Sequence, residues 1–305
     1  MKLPPWKKGI SKEKYLRLID EHFPDVSYKK SRIIRHGYDN IVIILDEVTV
    51  FRFPSDSYLS RFKAEVRLLE KLSSRVSAPV PHYMYRMKDD SFGGYKKLDG
   101  MFMKKTAFRA LPKTSKKALA TELGKFLTEL HAVPTSVART AGFVEENDYY
   151  WWSKKRAEKN LKLMQQKLFP KLTKIEAAWI EKKYREYVSL SFDFKPVITH
   201  SDLVGDHILF DAKKKKISGV IDFADVEIGD PAIDFRRLWE FGEEFFQNVL
   251  SSYGGTVDRD FVQRSKFPRT VACVPHLLDA VTGKKVYYSF EENRKFLRGL
   301  MKKYP

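Results

Sequence analysis

The segment His200-Ser201-Asp202-Leu203-Val204-Gly205-Asp206-His207 runs into the apolar Ile208-Leu209-Phe210; beyond a lysine turn at 213–216, a second apolar run at 217–221 ends on Asp222. Asp225, Asp230 and Asp234 follow closely, making this the densest gathering of chemically capable side chains in the sequence. Carboxylates crowded together call for a cation or a proton-transfer role. Asp202 and His207 flank a short loop leading into a strand, and Asp222 closes the next strand. If the two strands pair, Asp222 returns beside the loop. An oxygen ligand and a nitrogen ligand then surround one point, with Asp202 close enough to orient a hydroxyl. This arrangement suits phosphoryl transfer, in which positioning and charge neutralisation supply most of the catalysis. The bland alternative is that these acids are ordinary solvated turn residues.

Upstream, Ser11 followed by Tyr15, Leu16, Leu18 and Ile19 predicts a capped helix ending near Pro24. Short β-branched runs at 33–34, 41–45 and 48–53, broken at 37–40 and 46–47, predict three antiparallel strands. Residues 58–72 carry Phe62, Val66, Leu69 and Leu72 on one side of a helix, and Pro79 and Pro81 precede a strand pair at 83–87 and 95–98. The result is a small sheet with one helix packed against it. After Gly100 the pattern turns helical, with Leu119, Leu123, Phe126, Leu127 and Leu130 on one face of 115–131. Long basic helices are expected at 151–168 and 173–190, separated at Phe169-Pro170, and the chain from Ala232 onward reads mostly as helix.

A chain of 305 residues, 43% hydrophobic, buries a full core and accommodates two lobes. Its single cysteine, Cys273, forms no internal disulfide, no run approaches the roughly 18 apolar residues of a membrane span, and residues 1–9 lack a signal-peptide pattern. A cytoplasmic monomer without a membrane partner is the expectation. The balance of 57 Lys plus Arg against 39 Asp plus Glu, a net +18, invites a polyanion such as nucleic acid or a nucleotide. No nucleic-acid-binding motif accompanies it, which disfavours nucleic acid as partner. Residues 213–216 read as a solvated hairpin turn.

The 200–207 segment resembles the H-x-D-x-x-x-x-N catalytic loop of kinases, and Ile221-Asp222-Phe223-Ala224 resembles their D-F-G metal segment. Together with Gly229-Asp230-Pro231-Ala232-Ile233-Asp234-Phe235, the stretch is similar to the aminoglycoside phosphotransferase family, closest to the class acting on the 2''-hydroxyl, which also carries histidine in place of the asparagine. The resemblance implies an α+β, bilobal protein-kinase-like fold: a nucleotide-binding lobe at 1–95, a hinge at 96–100 and a catalytic lobe at 101–305 with a helical insert near 135–190. By the same resemblance Asp202 is the catalytic carboxylate, His207 and Asp222 hold Mg2+ (with Mn2+ as a substitute), and His200 and Asp230 brace the loop.

The resemblance also implies a phosphate-holding pair, Arg52 on the third strand with Glu65 on the following helix, with arginine where many relatives carry lysine. Gly37 and Asn40 fall at the turn over the triphosphate. Lys96 and Leu98 supply hinge backbone to the purine, and Tyr95 guards the deep purine pocket, bulk that goes with GTP use rather than ATP. A polycationic aminoglycoside needs acids: Glu240, Glu243 and Glu244, read as one helical face, with Asp206 and Asp279 as further candidates. Two readings compete with the resistance enzyme. One is a kinase of a metabolite alcohol or sugar in the same fold; the other is a non-catalytic nucleotide- or nucleic-acid-binding protein. Asp202, His207 and Asp222 occurring together argue against the second, because a binding module needs no base beside two metal ligands.

Overall fold

The computed structural model describes residues 11–35, 39–143, 152–284 and 288–305; Gly37 lies outside them. The first helix, α1 (Lys12–His22), begins where the Ser11 hydroxyl accepts from the Glu13 amide, satisfying one of the donors that a helix start leaves open. β1 (Ser31–Ile34), β2 (Asn40–Leu45) and β3 (Thr49–Pro54) follow as antiparallel neighbours. Asp46 and Glu47, between β2 and β3, both take positive φ, the left-handed pair that matches strand twist in a tight hairpin. α2 (Leu59–Leu72), β4 (Tyr83–Arg86) and β5 (Gly93–Lys96) complete a five-stranded sheet in the order β1-β2-β3-β5-β4.

The sheet has a helix on its outer side as well as α2. Ile41, Ile43, Leu45, Phe51 and Phe53 pack with Tyr15 and Ile19 of α1. Ala64, Leu68, Leu69 and Leu72 of α2 instead join the core of the second lobe. The connection after β5 is pinned by the Lys97 amide donating to Val48 O at 2.7 Å. Gly100, at φ 121°, permits the turn that follows, since a Cβ there would stand 2.1 Å from Ser218 Oγ.

The second lobe comprises β6 (Met101–Phe102), α3 (Lys105–Arg109), α4 (Lys113–Ala132), α5 (Thr135–Ala141), α6 (Lys154–Leu163) and α7 (Lys174–Val188), then β7 (Val197–Thr199), β8 (Ile208–Asp211), β9 (Lys216–Val220) and β10 (Glu227–Gly229). It ends with α8 (Glu243–Ser251), α9 (Phe261–Thr270), α10 (Val274–Val281) and α11 (Phe290–Lys303). α4 buries Leu119, Leu123, Phe126, Leu127 and Leu130 beneath β8 and β9. α6 and α7 build a separate core with α10 and α11, in which Tyr187 stacks on Phe267 at 3.8 Å.

Three local expectations are revised. α6 stops at Leu163 and unwinds through a π turn, Met164–Leu168, and a 3-10 turn, Phe169–Lys171, because Pro170 has no amide with which to continue the helix. β9 ends at Val220, so Asp222 belongs to the turn beyond it, at φ 66°. Glu240 sits in a 3-10 turn, Leu238–Phe241, and Gly242 at φ 104° separates it from α8. Glu240 and Glu244 therefore do not share one helical face. The short antiparallel pair β7–β10 had no periodic signal, being too brief to display one.

Candidate active site

The loop 200–207 leaves β7 and enters β8 under several restraints. Ser201 takes φ 62°, a left-handed conformation that costs a non-glycine residue about 1–2 kcal/mol. Buried Asp234 holds it there: Oδ1 accepts the Ser201 amide at 2.7 Å and Oδ2 accepts the His200 amide at 2.9 Å. His131 Nε2 lies 3.0 Å from the same Oδ2. Burial works to raise the Asp234 pKa, but the His131 hydrogen bond and charge, then His200, outweigh it and keep the carboxyl below its usual range.

His200 is wholly buried, with Nε2 3.0 Å from Ile221 O and Nδ1 accepting from the Asp202 amide at 3.3 Å. It thus ties the loop to the segment before Asp222; burial lowers its pKa and favours the neutral ring. Gly205 presses against the backbone just beyond β6, where a Cβ would meet Met103 O at 2.3 Å. Asp230, expected to brace the loop, does something else. Its carboxylate caps the 231–235 turn through the Ala232 amide and pairs with Arg264 at 2.6 Å, both side chains fully buried. The brace is Asp234, one turn further on.

Pairing of β8 with β9 places Ile208 opposite Val220, and the Ile221 amide donates to His207 O at 2.9 Å. This register carries Asp222 back to the loop: His207 Nε2 is 3.4 Å from Asp222 Oδ2. His207 Nδ1 lies 2.8 Å from Asp202 O, a carbonyl that only accepts, so Nδ1 carries a hydrogen, and in the neutral ring a metal would require, Nε2 offers a lone pair on the side of the carboxylate oxygen. Two lone pairs at that separation fit adjacent positions on one cation. No cluster of three or more metal-ligating side chains occurs among the described residues. Two protein ligands with water and phosphate oxygens are what a nucleotide-borne Mg2+ uses.

Arg52 and Glu65 also meet, with Nη1 2.5 Å from Oε1 and both buried, while the other arm of the fork reaches Asp222 Oδ1 at 2.9 Å. Burial opposes ionisation of Asp222, yet Arg52, then His207 and His200, hold its pKa below the ordinary value. Burial pushes Glu65 the other way, against the pull of Arg52. A planar guanidinium spans two carboxylates where an ammonium would address one.

These groups open on a cavity of about 450 Å3 between the sheet and the second lobe, lined by Asn40, Arg52, Tyr95, Leu98, Asp202, His207 and Asp222. Lys97 lines it; Lys96, one residue earlier, is exposed at the end of β5 and does not. Asp225 was noted in the sequence without a role. It lines this cavity and a second one beside Ser201, and burial, then Asp202 and Asp222, raise its pKa.

Of the acids expected to hold an acceptor, Glu240, Glu243 and Glu244 line one cavity of about 260 Å3, shared with Lys105, Arg109, Lys113 and Lys116. Asp206 is exposed, 3.6 Å from Lys104, and Asp279 on α10 pairs with Lys284 at 3.1 Å. Glu240 alone reaches a cavity lined by Trp152 and Arg236, and it is engaged by Lys105 at 2.9 Å. Arg236, which sequence reasoning passed over, stands 3.4 Å from Asp202 Oδ1.

A two-lobed kinase-like fold with a loop carboxylate beside a histidine–carboxylate pair defines a phosphotransferase of hydroxyl acceptors that uses a nucleotide donor. Residues 30–263 match the phosphotransferase enzyme family, and the chain belongs to that family. The complex of an APH(2") enzyme with GDP and kanamycin is similar over 96% of this chain and 100% of that one, at 25% identity and a TM-score of 0.85. The GDP complex of wild-type aminoglycoside 2'-phosphotransferase-IIIa is similar at 26% identity, over 95% and 98% of the two chains, with a TM-score of 0.84. The macrolide 2'-phosphotransferase MphH from Brachybacterium faecium shares the fold at 18% identity, over 94% and 97%, with a TM-score of 0.72.

Proposed function

We propose that this enzyme transfers the terminal phosphoryl group of GTP or ATP to a hydroxyl of a small polyhydroxylated acceptor, with Asp202 taking the hydroxyl proton. The observation that carries the reading is the 3.4 Å approach of His207 Nε2 to Asp222 Oδ2 beside that carboxylate. His207 and Asp222 would hold Mg2+, which would supply charge neutralisation to the phosphate oxygens. Arg52, kept in place by Glu65, grips phosphate and steadies Asp222. Asn40 supports the phosphates from β2, and the backbone of 97–98 with Tyr95 shapes the purine site. As the acceptor oxygen bonds to phosphorus, the bond to the nucleoside diphosphate breaks and its electron pair leaves with the diphosphate.

An aminoglycoside is the first acceptor class to examine, supported by kinship with an enzyme solved with kanamycin. The metabolite-alcohol reading has its own support in Arg236, a cation beside Asp202. Asp202→Ala is expected to abolish turnover, by at least about 10³-fold, while nucleotide affinity stays within about threefold, because the residue acts on the acceptor hydroxyl. Undiminished turnover in that variant refutes the assignment. Nucleotide consumption measured with kanamycin-like compounds and with metabolite alcohols then sorts the acceptor.

A further inference from the structure

Two cavities, of about 300 and 360 Å3, share Trp152 and Arg236 in their walls, and Arg236 connects them to Asp202. The Arg236 side chain is only 16% exposed. Its Nη2 donates to Ser201 O at 2.5 Å and stands 3.4 Å from Asp202 Oδ1, while its buried Nε has no partner among the described residues. Burial first, and Arg237 second, hold its pKa below the ordinary arginine value against the opposing pull of Asp202, Asp234 and Glu227. Arg237 and Arg269 line the larger cavity with it, together with His276. The carboxylate among these lining residues, Glu240, is already held by Lys105 at 2.9 Å and Arg237 at 3.2 Å. In the smaller cavity Asp225 faces Arg61 at 3.6 Å, and Glu227 lines it beside Arg236.

An acceptor hydroxyl that reaches Asp202 brings its neighbouring substituent against Arg236. An ammonium there meets a like charge, whereas an anionic oxygen meets a guanidinium. We propose that the acceptor carries an anionic oxygen group, a carboxylate or a phosphate monoester, beside its reactive hydroxyl, docked on Arg236 and Arg269. The inference rests on the phosphotransferase reading of Asp202 and narrows its acceptor to a class opposite in charge to an aminoglycoside.

The test uses the full chain saturated with Mg2+ and GDP or ADP, whichever binds more tightly, so that the donor phosphate sites are filled, with inorganic sulfate as the probe and tryptophan fluorescence as the signal. Saturable sulfate binding is expected, weakened at least tenfold in Arg236→Met and in Arg269→Met, with kanamycin unable to displace it. Arg269 is half-buried on the cavity wall, so its variant carries the test if Arg236→Met does not fold. Sulfate binding that is absent, or indifferent to both substitutions, overturns the inference, as does kanamycin turned over more efficiently than sugar phosphates and sugar acids. Comparing the last two classes in turnover distinguishes a phosphate source from a carboxylate source. Mg2+-dependent binding of GDP and of ADP is read separately: loss of both sinks the phosphotransferase reading, whereas a negative sulfate result with a nucleoside diphosphate bound sinks only the anionic acceptor.

Discussion

Replacing Asp234 by asparagine probes how the loop carrying Asp202 is held. The carboxylate accepts two loop amides, at 2.7 and 2.9 Å, and faces His131 at 3.0 Å, at 1% exposure. Each hydrogen bond to a charged group contributes about 1.5–3 kcal/mol. Asparagine keeps one acceptor but turns an NH2 toward a backbone N–H, leaving a buried donor unpaired and the left-handed Ser201 without its restraint. The terms overlap and do not add, so the expected loss is about 3–5 kcal/mol, the range for breaking a buried pair. That is a large share of the roughly 5–15 kcal/mol that holds a typical domain together. Urea unfolding measures the loss through the midpoint at unchanged slope. Because a displacement of about 1 Å at a reacting group costs on the order of 10²-fold, kcat should fall by that factor in whatever fraction remains folded. Stability within about 1 kcal/mol of the parent, with kcat within threefold, refutes the bracing role.

Three further outcomes are expected. Glu176 caps α7 and binds Arg294 and Arg298; burial opposes its ionisation, but Arg294, the Thr173 amide and Arg298 outweigh it and hold its pKa down to about 2. Its contribution is therefore fully present above the unfolded value of about 4.3 and is lost as pH falls toward 2. Acid titration of Glu176→Gln should be flatter across that window, with about 2 kcal/mol less stability at neutral pH; a superimposable acid limb rules this out. Arg52→Lys should raise the nucleotide KM and lower kcat together, by about tenfold in kcat/KM, since an ammonium serves either Glu65 or Asp222 but not both forks. Steady-state kinetics indistinguishable from the parent would show the fork to be dispensable. Tyr95→Ala should enlarge the purine site and move the ratio of GTP to ATP efficiency toward ATP; an unchanged ratio in competition assays removes Tyr95 from donor selection.

Much of the core site was readable because its parts are close in sequence. β8 and β9 form a hairpin whose short lysine turn leaves little freedom of register, so Asp222 had to return to His207, and the alternation of apolar runs announced both strands. The Arg52–Glu65 pair came from the resemblance to kinases, since spacing alone gives no reason for a third-strand arginine to seek that glutamate rather than solvent.

Local pattern is silent where partners are distant or equivalent by neighbourhood. Asp230 and Asp234 share one motif, and only the packing of α9 and α4 decides that Arg264 takes the first and His131 the second. The fork from Arg52 to Asp222 spans 170 residues of chain, and no periodicity encodes it. Glu240, Glu243 and Glu244 share a cavity wall but not one helical face, because Gly242 turns left-handed between Glu240 and α8, and arginines from the loop after β10 and from α9 line the neighbouring cavity that Glu240 also reaches. By itself the sequence determined most of the strands and helices and the hairpin that joins imidazole to carboxylate, because these follow from spacing over a few residues. Which acid braces the loop, and what charge greets the acceptor, were decided only by tertiary packing, since burial and Coulomb interaction depend on distance in space rather than along the chain.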